Sequence, residues 1–106
     1  MPDFVIKQND TAPIIKAYLQ DENGDAVNIS GASVDFHMSD YSSTVINSPA
    51  TIEDETGGLV SYTWQSEDTT EKGNYKAEFE VTFADGSIET FPNTGYIEIK
   101  INAEIS

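Results

Sequence analysis

The chain has 106 residues, enough for one ordinary domain that buries roughly two-thirds of its unfolded surface. It carries 19 acidic residues, five lysines and no arginine, so the formal net charge is -14. Such a surface repels phosphate backbones and anionic lipid alike, which argues against nucleic acid and membrane as partners. There is no cysteine, so disulfide staples and thiolate metal centres are excluded.

In chain order, beta-forming residues alternate with polar ones in short runs bounded by Gly, Asn and Asp turns, and no helix is expected. The opening "MPDFVIKQND" has neither the basic n-region nor the apolar h-region of a Sec-type signal peptide. Within it "FVIK" (4–7) reads as a first strand, and "PIIKAYLQ" (13–20) as a second. "DENGD" (21–25) follows, and its Asn23-Gly24 pair is a strong hairpin signal, with "AVNIS" (26–30) as a brief return strand. "SVDFHM" (33–38) alternates cleanly, whereas "TVI" (44–46) and "ATIE" (50–53) are weaker strand signals. "GLVSYTW" (58–64) and "NYKAEFEVTF" (74–83) are strong. "ADG" (84–86) turns the chain into "SIETF" (87–91), and "GYIEIKI" (95–101) closes it. No apolar run approaches the about 20 residues of a membrane-crossing helix.

Side chains alternate across a strand, so parity assigns faces. Tyr75, Ala77, Phe79, Val81 and Phe83 form one inward row. Val60, Tyr62 and Trp64 form another, as do Val34, Phe36 and Met38; Ile15, Ala17 and Leu19; and Ile97, Ile99 and Ile101. Rows with one wet face require two facing sheets, and the short connections leave no room for parallel crossovers. The expected fold is all-β: one antiparallel, immunoglobulin-like sandwich over residues 1–106, of about seven to nine strands without substantial helix.

The immunoglobulin-like reading rests on "EDTTEKGNYKA" (67–77). In such sandwiches a tyrosine at the start of a strand turns a corner, its hydroxyl bonding to backbone a few residues upstream. Tyr75 stands at that place, and Ala77 fills the position of the usual cysteine two residues on. Gly73 supplies the backbone freedom the turn needs.

Segments along the whole chain resemble a known family. "VIKQNDTAPIIKAYLQ" (5–20) resembles the first strands of the N-terminal domain of phage baseplate upper proteins, and "DENGDAVNISGASVDFHM" (21–38) resembles the segment after them. "GLVSYTW" (58–64), "GNYKAEFEVTFADG" (73–86) and "TFPNTGYIEIKI" (90–101) resemble the rest in order and spacing. The resemblance implies a virion structural domain, in a tail baseplate or on the capsid surface, whose partners are other virion proteins and further copies of itself. Larger members continue into a helical stem and distal region. If Ser106 is the natural end, a small adaptor, spacer or decoration domain is expected.

Chemistry has little foothold. The one histidine, His37, falls on the outer parity with Asp35, and no serine lies in a Gly-x-Ser-x-Gly setting. Asp21, Asn23 and Asp25 begin like a calcium loop, but Ala26 stands where that loop needs glycine, and no glutamate follows at its last position. A turn explains the same residues. No catalytic residue, cofactor or metal site is expected. Tyr18, Phe91 and Tyr96 fall on the polar parity and are the expected partner contacts. A carbohydrate-binding or adhesion sandwich is the alternative, since fold does not choose among functions.

Overall fold

The computed structural model describes residues 2–105. Among them are nine strands and no helix: β1 (Phe4–Lys7), β2 (Ile15–Tyr18), β3 (Ser33–Ser39), β4 (Thr44–Pro49), β5 (Thr51–Asp54), β6 (Leu59–Tyr62), β7 (Gly73–Thr82), β8 (Ile88–Phe91) and β9 (Ile97–Asn102). One sheet runs β1-β9-β7-β3-β4, with β8 beside the second half of β7; the other runs β2-β6-β5. The pairs are antiparallel except β1 with β9, which is parallel. That departs from the wholly antiparallel expectation. First and last strands can pair in parallel because the whole domain lies between them, so no short crossover is needed.

The inward rows meet between the sheets. Tyr75, Ala77, Phe79 and Val81 of β7 are buried, as are Val34, Phe36 and Met38 of β3 and Ile99 and Ile101 of β9. From the smaller sheet come Ile15, Val60 and Tyr62, joined by Leu19 and Trp64 just past their strands. Ala17, Phe83 and Ile97 are only half-buried and pack at the margin. Phe36 stacks on Tyr62 with centroids 4.5 Å apart and planes 13° apart, a ring pair that joins the two sheets. Phe79 lies 5.1 Å from Phe36, and Trp64 stands edge-on to both Phe36 and Tyr62. Offset and edge contacts of this kind are the favoured aromatic geometries.

Two tyrosine hydroxyls tie the loop before β7 to the strands. The Tyr75 hydroxyl donates to the Glu71 carbonyl at 2.7 Å, the bond of a tyrosine corner. Gly73 has φ +149°, which side-chain-bearing residues rarely adopt; a Cβ there would meet the Tyr75 ring at an ordinary 3.7 Å, so conformation rather than space demands glycine. Ala77 is buried behind the corner. At the other end of the loop the Tyr62 hydroxyl donates to the Asp68 carboxylate, which also accepts from the Gln65 N–H at 2.8 Å.

Residues 26–30 do not form the expected return strand; only Gln20 bridges to Ala26. The Asp21 carboxylate accepts from the N–H groups of Asn23 and Asp25, closing a local turn. Val27 then donates to Leu19 and Ile29 to Glu55, so this segment is spent lacing β2 to the β5–β6 turn. Gly58 makes the lacing possible: a Cβ there would stand 2.8 Å from the carbonyl oxygens of both Leu19 and Val27.

Removing the corner hydroxyl leaves the Glu71 carbonyl without its partner. Tyr75→Phe is expected to cost about 1 kcal/mol, read from urea unfolding midpoints. Burial, then the Asp68 hydrogen bond and charge, pushes the Tyr62 hydroxyl's pKa up; burial, then the charges of Glu71 and Asp40, does the same for Tyr75. Both hydroxyls stay protonated in the folded chain at a pH where the unfolded chain ionises. Their contribution is therefore complete below about pH 10 and is lost as pH rises beyond it. Urea midpoints are expected to fall above that pH, and less steeply in Tyr62→Phe.

Candidate functional site

The outer face of the larger sheet collects the polar halves of β3, β7 and β9. Alternation turns Asp35, His37 and Ser39 outward from β3, and Lys76, Glu78 and Glu80 outward from β7. Register then sets the neighbours: Asp35 opposes Glu80, His37 opposes Glu78, and Lys76 lies between Ser39 and Glu98. Lys100 follows, opposite Asn74. The face is thus acidic at one end and carries two of the chain's five lysines at the other.

Two tyrosines join the lysine end. Tyr41 stands in the β3–β4 turn and is 85% exposed. That turn is organised by Asp40, whose carboxylate accepts from the N–H groups of Ser42 at 2.8 Å and Ser43 at 2.9 Å. These bonds, with one from the Ser42 hydroxyl, hold the Asp40 carboxyl below the usual range. Tyr96 follows Gly95 in the stretch that separates β8 from β9, and is 39% exposed. The Lys76 ammonium lies 4.8 Å from the Tyr96 ring centroid and 5.6 Å from that of Tyr41. Both distances suit cation–π attraction, worth about 0.5–1 kcal/mol at an exposed site. A shallow cavity of ≈ 230 Å³ opens beside them, lined by Tyr41, Asn74, Lys76, Tyr96 and Lys100 among others. It brings together aromatic rings, the Lys76 and Lys100 ammonium groups and the carboxylates of Asp40 and Glu98.

A second concavity, of ≈ 310 Å³, lies at the open side of the sandwich between β2 and the β8–β9 break. Tyr18, 68% exposed, stands at its rim with Asp21, while Phe79 and Phe91 line its interior. Two of the three expected contact residues, Tyr18 and Phe91, therefore share this cleft, and Tyr96 belongs to the lysine end of the sheet face. Phe91 is not a surface residue: it is 3% exposed. It pairs directly with Phe79 of β7 and so shares that residue's inward face. Parity counted from Glu89 missed this, because Glu89 is itself half-buried at the sheet margin.

Tyr41 and Lys76 were not singled out from the sequence. An aromatic amid the polar turn "SDYSS" was the available signal for Tyr41. A third grouping, Asp35, His37 and Glu80, was equally hidden; its three ligand atoms lie within 4.8 Å of one another. Only the β3–β7 register brings Glu80 to the other two.

The sequence matches the family model of the BppU N-terminal domain, a phage baseplate upper protein domain, over residues 5–102. The chain belongs to that family. It is therefore a phage baseplate-related structural protein, of a kind that works in contact with other virion proteins. No curated protein matches the sequence. Among solved structures, the fold is similar to the crystal structure of CopC from Methylosinus trichosporium OB3b. The match covers 100% of this chain and 89% of that one, with a TM-score of 0.56 and 15% identity. A likeness at that identity concerns the fold alone. Nothing in these matches supports a place on the capsid surface, which had stood beside the baseplate as an expectation.

Proposed function

We propose that the domain is a non-enzymatic docking adaptor of the phage tail baseplate. The observation that carries this reading is the family match, which spans the sandwich from β1 to the end of β9. The Tyr41–Lys76–Tyr96 cluster supports it, because it offers a neighbouring protein a preformed aromatic and cationic surface on an otherwise acidic molecule. Tyr18 at the rim of the second cleft is a further contact, with Phe91 serving as its apolar wall. The charge of -14 favours a protein partner over nucleic acid or a membrane. It also means that copies of the chain repel unless a fixed geometry brings Lys76 and Lys100 of one against carboxylates of the next. Self-association is accordingly expected only within the assembled particle.

Two measurements test the adaptor reading. Mass spectrometry with copy counting on purified particles is expected to give a low number, about the multiples of three or six that a tail's rotational symmetry permits. A count in the hundreds, or absence from particles, would contradict it. The double variant Tyr41→Ala/Tyr96→Ala is expected to keep its melting temperature but enter particles at least about tenfold less efficiently, the loss of some 1.4 kcal/mol of contact. Unchanged incorporation would remove this face from the interface.

A further inference from the structure

We infer that Asp35, His37 and Glu80 form a binding site for a divalent first-row transition cation of the zinc type. The three side chains project from the outer face of adjacent central strands, β3 and β7, and each is half-buried. Their potential ligand atoms, one imidazole nitrogen and two carboxylate oxygens, lie within 4.8 Å of one another. Ligands around a tetrahedral zinc stand about 3.3 Å apart, so side-chain rotation closes the set without moving either strand.

The local electrostatics point the same way. Asp35 and Glu80 face each other directly across the ladder. Like charges in that relation repel, and a protein built only for stability would place a lysine or threonine there. The neighbours offer no relief. Glu78 opposes His37 from β7, Asn47 and Pro49 flank the site on β4, and Thr90 faces Glu80 on β8. The next cation along β7, Lys76, leans over Tyr96 and Tyr41 at the far end of the face. A doubly charged ion would neutralise the opposed carboxylates and use the imidazole nitrogen as well.

The donor set selects the class of ion. Calcium and magnesium take oxygen ligands and gain little from imidazole, whereas nitrogen with carboxylate oxygen suits zinc and its first-row neighbours. Three protein ligands leave a fourth position open, for water or for a donor from a neighbouring virion protein. The site lies on the same sheet face as the Tyr41–Lys76–Tyr96 cluster, so an ion held there would also reduce the acidity of the surface presented for docking.

The test is a calorimetric titration of the untagged chain with zinc chloride, run beside calcium chloride, with imidazole NMR signals as a second readout. His37 is the only histidine, so its ring resonances report one site without assignment. Zinc is expected to bind with one equivalent and shift those resonances, while calcium binds at least about tenfold more weakly and leaves them in place. His37→Ala and Glu80→Gln should each weaken zinc binding by at least about tenfold. Glu80→Gln carries an independent signature: with no zinc present it should raise the melting temperature by relieving the repulsion from Asp35, while abolishing the rise that zinc gives the parent. Calcium binding as tight as zinc, or zinc affinity unchanged in His37→Ala, would overturn the site and reveal only a diffuse counterion atmosphere on an acidic surface.

Discussion

The pairing of Phe36 with Phe79 governs more of this molecule than any other contact. The two rings oppose each other in the β3–β7 ladder, 5.1 Å apart and wholly buried, and Phe36 also stacks on Tyr62 of the facing sheet. Slipping one strand of the ladder by a single residue would turn its ring to water and its polar residues into the core, so burial locks the register. That register, chosen by the core, then dictates the surface. With Phe36 opposite Phe79 inside, Asp35 must oppose Glu80 outside and His37 must oppose Glu78. The external arrangement of charge is thus a consequence of internal packing.

The same strand, β7, receives its entry geometry from the corner. The Tyr75 hydroxyl fixes the Glu71 carbonyl, Gly73 supplies a backbone turn closed to other residues, and Ala77 lies behind them in the core. The strand so placed supports β3 on one side and both β8 and β9 on the other. The break between β8 and β9 has two effects. It carries Tyr96 out to the sheet face beside Lys76, and it leaves the opening through which Phe91 and Phe79 line a cleft under Tyr18. Rigid strands therefore position the side chains most available to a partner, although two of the tyrosines reside in connecting segments.

Legibility in the sequence followed the range of the interactions. Period-two alternation located β3, β6, β7 and β9, because a strand with one wet face writes that face directly into the order of its residues. The Tyr75–Glu71 bond spans four residues, and such local chemistry can be anticipated. Where a residue's side depends on a strand elsewhere, the sequence is silent. Phe91 is inward only because it meets Phe79; β1 is parallel only because β9 returns beside it; residues 26–30 avoid pairing as a strand because Val27 donates to Leu19 and Ile29 to Glu55 of the β5–β6 turn. The Asp35–His37–Glu80 grouping and the Lys76–Tyr96 contact fall in the same class, each assembled by register across the sheet. The groupings across the outer sheet face were accordingly the least readable part.

Membership of the baseplate family and the aromatic, cationic end of the larger sheet are the grounds for the docking role proposed for that face. The most direct measurement is a cryo-electron microscopic reconstruction of the tail tip at side-chain resolution. Tyr41, Lys76 and Tyr96 are expected to be covered there by a neighbouring virion protein. A domain held in the particle through other surfaces, with this face open to solvent, would contradict it.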